Sequence, residues 1–195
     1  MKGASEMTEF IRERLEDGKH RQYGQEPVSE LVHALQCATL AEDEGAADDE
    51  LVVAVLLHDF GRLVVEDGDL SDSVGGGSET PPKHGDHGEL GAEQLHEYFS
   101  DRILFCIRNH AEAKRYLCTA EPEYFSRLSK GSVVTLEKQG GKMDEEERAS
   151  FESSPYCADA VRLRRWDDRG KIPGAAAKSL DHWMAKVGQQ IRTDR

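Results

Sequence analysis

Cysteine pairs, long apolar runs and positive charge are what this chain has least of. Its cysteines, Cys37, Cys106, Cys118 and Cys157, form no C-x-x-C pair. At least two lie in apolar helical contexts, so they read as reduced core residues of a cytoplasmic protein rather than as a disulfide or zinc framework. No apolar run approaches the roughly 20 residues of a membrane span. The first residues, Met1-Lys2-Gly3-Ala4-Ser5-Glu6, lack the apolar stretch of a signal peptide. Lysine and arginine together number 25 against 38 aspartates and glutamates, a formal net charge of -13. Such a balance argues against a nucleic-acid surface, yet a local cationic pocket for a small anion can sit in an acidic protein. No stretch alternates apolar and polar residues convincingly enough for a sheet, and no internal repeat is visible.

What is present is helical periodicity. The 195 residues suit a single domain with a real core. Phe10, Ile11 and Leu15 mark a first helix, with Gly18 as its stop. Ser29 or Val28 opens a second through Ala41, with Leu31, Ala34, Leu35, Ala38 and Leu40 on its apolar face and His33 close to it. The run Leu51-Val52-Val53-Ala54-Val55-Leu56-Leu57 drives a third helix into the core and ends abruptly in His58-Asp59, with Gly61 as a plausible terminator. Residues 66–84 read as a long Gly/Pro-rich loop, a lid or a passive insertion. A helix resumes at His84 to Phe99, and another, capped by Asp101, carries Ile103, Leu104, Cys106, Ile107 and His110. Ser129 to Met143 mixes loop and turn signals. Asp144 to Phe151 and Tyr156 to Arg169 are helical, and a last amphipathic helix, at about 175–192, carries Leu180, Trp183, Met184 and Val187. The expected fold is all-α.

A buried, unpaired Asp costs several kcal/mol, so the His58-Asp59 pair at the end of an apolar helix needs a partner. His33, His58, Asp59, His87, His110 and Asp167 each fall at or near the inner face, or the end, of a predicted helix. Six imidazole and carboxylate ligands exceed a single zinc site and lack thiolates. They suit iron or manganese, in the number that a dinuclear site with a bridging carboxylate requires.

The ordered series H…HD…H…H…D resembles the HD-domain superfamily, most of whose members are phosphohydrolases. Tyr23-Gly24-Gln25-Glu26 before the first ligand, and Ser132, Thr135-Leu136 and Gln139-Gly140-Gly141 after the histidines, sharpen the resemblance. They look like the mixed-valent di-iron oxygenases related to myo-inositol oxygenase, above all the small bacterial enzymes that cleave C–P bonds of 1-hydroxyphosphonates. The resemblance covers about residues 20–172, the metal-site core of what would be a single HD-type domain over 1–195.

That resemblance implies two iron ions, Fe(II)/Fe(III), with O2 as co-substrate and a small organophosphonate as substrate. Asp59 would bridge the irons. His33, His58 and Asp167 would complete one, and His87 and His110 the other. His84 competes with His87 and Asp168 with Asp167; the family pattern favours His87 and Asp167. Tyr23 looks like the residue that occupies the open iron until substrate displaces it, with Glu26 on the same loop. Lys114, one turn beyond His110, and Arg164, one turn before Asp167, should point to the same cavity and take the phosphonate. Ser132 and Gln139 could add neutral hydrogen bonds.

Arg62 departs from the pattern, because relatives often carry a histidine there. It either takes a phosphonate contact or faces solvent. The implied reaction is O2-dependent conversion of a 1-hydroxy-2-(amino or trimethylammonio)ethylphosphonate to glycine or glycine betaine plus phosphate. The rivals are a metal-dependent phosphohydrolase acting on a small phosphate ester or nucleotide, and a non-catalytic helical module stapled by metal. Tyr23, Glu26 and the Gln139 segment favour the oxygenase over the hydrolase.

Overall fold

The computed structural model describes residues 2–45, 48–64 and 86–192. Its elements are α1 (Ala4–Asp17), α2 (Glu30–Asp43), α3 (Asp49–Leu57), α4 (Phe60–Leu63), α5 (Asp86–Leu95), α6 (Asp101–Ala120), α7 (Lys130–Lys138), α8 (Glu145–Glu152), α9 (Cys157–Asp167) and α10 (Leu180–Gln190), with 3-10 turns at Gly18–His20 and Phe125–Arg127. The described residues contain no strand, only an isolated bridge between Gln22 and Ser29. The expected all-α fold is therefore the observed one. The segment 66–84, with His84, lies outside the described residues.

α3 is the axis of the bundle. Asp48 caps it, accepting a hydrogen bond from Leu51 N at 2.9 Å. Every side chain from Leu51 to Leu57 is buried. α2, α6, α9 and α10 pack around it. Burying an aliphatic side chain contributes about 1.5–3 kcal/mol, so an all-apolar helix has nowhere to go but the centre. α3 stops at Leu57, and the turn through His58 and Asp59 re-aims the chain into α4. The two side chains are thereby delivered to the inner end of the bundle.

Gly61 does not terminate a helix; it lies within α4. A Cβ there would lie 1.9 Å from His87 O and 2.7 Å from Gly91 N. Its bare backbone lets α4 and α5 touch main chain to main chain, which fixes where His87 stands.

Other boundaries differ from the sequence reading: α5 ends at Leu95 rather than Phe99, and Ser100, not Asp101, caps α6, its Oγ accepting from Ile103 N at 3.3 Å. Ser129 to Met143 is not mainly loop. Ser129 caps α7 by accepting from Ser132 N at 3.1 Å, and Ser132 and Leu136 are buried. Gly131 and the β-branched Val133, Val134 and Thr135 are poor helix formers, and packing overrides them. Gly140 and Gly141, both at positive φ, then end the helix. The last helix begins at Leu180, where Ser179 caps it, rather than near residue 175. No helix among the described residues is long and apolar enough to cross a membrane.

Candidate metal centre

Five elements bring the ligand-type side chains together. α2 supplies His33, the α3–α4 turn supplies His58 and Asp59, α5 supplies His87, α6 supplies His110 and α9 supplies Asp167. His33, His58 and Asp59 form one group in which a donor atom from each lies within 4.8 Å of the others, and Asp59, His87 and His110 form a second. Asp59 faces both. Its Oδ2 lies 3.1 Å from His58 Nε2 and 3.6 Å from His33 Nε2. Its Oδ1 lies 3.1 Å from His87 Nε2 and 3.6 Å from His110 Nε2. Asp167 closes the first group, with Oδ1 3.4 Å from His33 Nε2.

The donor atoms fit a pair of cations. His33 Nδ1 lies 2.8 Å from Gly170 O, His58 Nδ1 2.7 Å from Val55 O and His110 Nδ1 2.7 Å from Ile107 O. A carbonyl oxygen only accepts, so each Nδ1 carries a proton and Nε2 is the atom that each ring turns inward. Those inward nitrogens face one another, His33 and His58 at 3.2 Å and His87 and His110 at 2.9 Å. Asp59 Oδ2 is buried without a hydrogen-bond partner, and Asp167 Oδ2, though 2.6 Å from Arg164 Nη1, is not aligned for a hydrogen bond. Lone pairs and carboxylates converge on each other, an arrangement that needs positive charge between them.

The titration behaviour separates the rings. Burial holds His33 below its usual value, and burial with neighbouring His87 pushes His110 down to about 3, so both rings are neutral. Burial opposes charge on His58, yet Asp59 and Asp167 outweigh it and raise this ring to about 9, so a proton there supplies the positive charge that a cation in the cluster would replace. Burial likewise opposes ionisation of Asp59, but His58 and His87 hold it well below the carboxylate range. Arg164 and Lys171 overcome burial in the same way at Asp167.

Beside Asp167 lies a cationic compartment centred on Ser132. Lys114 is buried, with Nζ 2.7 Å from Thr135 Oγ1 and 3.4 Å from Ser132 O. It has no carboxylate within ion-pair distance among the described residues, and burial together with Arg164 pushes it down to about 7. Arg164 Nη2 reaches Ser132 Oγ at 3.5 Å. Lys171 Nζ lies 3.3 Å from Ser132 Oγ and 3.5 Å from Asp167 Oδ1. Lys171 was missed in the sequence. Its signal was the i+4 offset from Asp167, hidden because α9 ends at Asp167 and the chain turns through Gly170.

Asp168 is turned to other partners than Asp167. Its carboxylate pairs with Arg164 and accepts from Tyr124 Oη, while Tyr124 Oη accepts from Arg164 Nε at 3.2 Å. Tyr23 stands at the cluster: its ring stacks on His33 at 3.8 Å and its Oη lies 3.4 Å from Asp167 Oδ1. Burial, Asp167 and Asp59 push its hydroxyl well above the usual value.

Glu26 accepts from Ser129 Oγ, which bonds Ser132 Oγ at 3.1 Å, so it stands beside the Ser132 compartment rather than in the His/Asp cluster. Arg62 neither faces solvent freely nor reaches the cationic compartment. It pairs with buried Glu30. Gln139 caps the end of α7, its Oε1 buried without a hydrogen-bond partner.

A model of the HD domain matches residues 31–149, which contain His33, His58, Asp59, His87 and His110. Asp167 lies beyond it. The chain is 40% identical over 177 residues, 91% of its length and 85% of the relative, to the [1-hydroxy-2-(trimethylamino)ethyl]phosphonate dioxygenase (glycine-betaine-forming) of Leisingera caerulea. It is 36% identical over 162 residues, 83% of its length and 77% of the relative, to the hydroxymethylphosphonate dioxygenase of Gimesia maris. An uncharacterised protein of Acanthamoeba polyphaga mimivirus is 36% identical over 160 residues, 81% of the chain and 69% of that protein. The chain belongs to the HD-domain family and shares most of its length with relatives named as phosphonate dioxygenases.

Proposed function

We propose that this protein is a two-iron dioxygenase that cleaves the C–P bond of a 1-hydroxyphosphonate. The substrate is a 1-hydroxy-2-(trimethylammonio)ethylphosphonate or its amino counterpart, and the products are glycine betaine or glycine plus phosphate. The carrying observation is the convergence of Lys114, Arg164 and Lys171 on Ser132, directly beside Asp167 of the His/Asp cluster. A phosphonate dianion supplies the charge that this compartment lacks, and the compartment holds it within reach of the metal ligands. The named activities of the two curated relatives support the same reaction class.

In this reading His33, His58, Asp59 and Asp167 would hold one iron, and Asp59, His87 and His110 would hold its neighbour. Bound iron supplies Lewis acidity toward the substrate's oxygens and redox chemistry toward O2. The electrons that reduce dioxygen all come from the carbon and the C–P bond, so no external reductant enters. The chain's own residues bind, orient and shield. Lys114 donates to the phosphonate, with Thr135 and the Ser132 carbonyl orienting its ammonium group. Arg164, clamped by Asp168 and Tyr124, steadies Asp167 as well as the anion. Tyr23, stacked on His33 and touching Asp167, fills the substrate's place until it is displaced, and Glu26 moves with the same loop. The four free cysteines accord with a cytoplasmic location.

The test is to load the protein with iron and supply the trimethylammonio, amino and unsubstituted 1-hydroxyphosphonates with and without O2. O2-dependent phosphate release, with dioxygen consumed in equal amount, is expected. Release of phosphate from phosphate esters without O2 would instead mark a hydrolase.

A further inference from the structure

Arg62 follows the His58-Asp59 pair by a single turn, its backbone N–H bonded to Asp59 O at 2.9 Å. Its guanidinium is committed elsewhere. Nε donates to Glu30 Oε1 at 2.9 Å and Nη2 lies 2.8 Å from the same oxygen. Glu30 opens α2, the helix that carries His33, and is only 4% exposed. Its Oε2 is buried without a hydrogen-bond partner. A buried carboxylate is costly unless a cation stays beside it, so Glu30 holds Arg62 in one place. There the guanidinium carbon lies 5.4 Å from the centroid of the Tyr23 ring.

Tyr23 sits on a short hairpin whose base is fixed at the same point. Glu30 N bonds Arg21 O at 2.9 Å, Tyr23 N bonds Val28 O at 3.0 Å and Glu26 N bonds Tyr23 O at 2.9 Å. Gly24, at φ +52, makes the tip. Tyr23 thus packs against His33 while Arg62 holds both the ring and the residue where the hairpin closes.

We propose that Arg62 is a positioning residue: through its pair with Glu30 and its contact with the Tyr23 ring, it latches the Tyr23 hairpin over the metal cluster and sets how readily Tyr23 gives way to substrate. The substrate consequence rests on the reading of Tyr23 as the group that substrate displaces. A ligand that needs Tyr23 out binds with an affinity discounted by the fraction of molecules in which it is out. Losing a cation–ring contact of ordinary strength therefore tightens phosphonate binding about two- to fivefold.

The test compares wild type with Arg62→Gln, Glu30→Gln and Arg62→Lys. Two quantities are measured on the iron-loaded protein without O2: amide hydrogen exchange, and the dissociation constant of a 1-hydroxyphosphonate. Arg62→Gln and Glu30→Gln are expected to speed exchange at the Tyr23 and Glu30 amides while α6 and α10 stay protected, and to lower the dissociation constant. Arg62→Lys, which keeps a cation on Glu30, is expected to restore most of the protection. Unchanged exchange at those amides overturns the latch. A weaker dissociation constant with unchanged exchange would identify Arg62 as a direct phosphonate contact instead. Faster exchange with no gain in affinity leaves the latch standing and removes the idea that Tyr23 blocks the substrate.

Discussion

The Nε2 atoms of His33 and His58 face each other at 3.2 Å, although both rings spend their Nδ1 protons on backbone carbonyls. Without a cation, a proton on His58 supplies the positive charge between these nitrogens and the Asp59 carboxylate; a bound cation supplies more of it. Chelation should therefore destabilise the fold. At metal concentrations about 100 times Kd, binding contributes about 2.7 kcal/mol, so stripping the metal should lower Tm by about 5–10 °C for a chain of this size. Differential scanning calorimetry before and after chelation, with recovery on adding iron, measures it. Asp59→Asn should bind less metal at both positions, because each oxygen faces a different histidine pair.

Lys114 gives a pH signature. Burial and Arg164 push it down to about 7, below the unfolded value of about 10.4. Between those two pH values the unfolded chain binds more protons than the folded one, so this residue's contribution to stability rises with pH across that window. Phosphonate binding runs the other way. The dianion favours the charged lysine, so binding takes up a proton and affinity falls as pH climbs above about 7. Lys114→Met should flatten that dependence and weaken binding about 10- to 100-fold, the range for a lost hydrogen bond to a charged group. Isothermal titration in buffers of different ionisation heat reads both the affinity and the proton uptake.

Most of the candidate metal centre was legible because its ligand-type residues sit on strongly periodic helices: α3 could only be central, and His33, His110 and Asp167 ride faces that the apolar pattern aims inward. What was hidden joins distant segments through single contacts. Glu30 and Arg62 are partners across the bundle, and nothing in either local sequence announces a pair. Arg62 therefore read as either a substrate contact or a solvated residue. α7 was obscured because Gly131 and three β-branched residues argue against helix, while the Ser129 cap and burial of Leu136 decide for it. The close approach at Gly61 was invisible too, since a glycine after an apolar run looks like a stop.

That approach makes Gly61→Ala a sharp test of the scaffold. The added methyl would lie 1.9 Å from His87 O, against backbone that cannot rotate away. The expected cost is about 3 kcal/mol or more, read by urea denaturation. Metal lost preferentially from the pair that His87 serves should accompany it.

Asp167 and Asp168 are neighbours with separate jobs, and their amides should separate them. Asp167 Oδ1 faces His33, so Asp167→Asn should lower iron content and abolish turnover. Asp168 faces Arg164 and Tyr124. Asp168→Asn should keep its iron and lose activity about 10- to 100-fold, as orientation of a group behind the ligands is loosened. Iron analysis alongside phosphate release distinguishes them; equal iron loss in both variants would mean that Asp168 reaches the metal.

Lys171 is the cation that helical spacing did not reveal, and its worth can be measured against Ser132. Its Nζ lies 3.3 Å from Ser132 Oγ and 3.5 Å from Asp167 Oδ1, in a side chain that is 9% exposed. If Lys171 serves only as counter-charge to Asp167, Lys171→Met should reduce iron retention and leave phosphonate affinity in the remaining holoenzyme unchanged. If it belongs to the anion compartment, affinity should fall about 10-fold or more with iron content intact. In that case the double variant with Ser132→Ala should fall short of the sum of the single losses by about 0.5–3 kcal/mol, as expected for groups that share a ligand. The second outcome is the expected one, because Lys171 and Lys114 approach Ser132 through its side chain and its carbonyl respectively, bracketing the place where a phosphonate oxygen would be received.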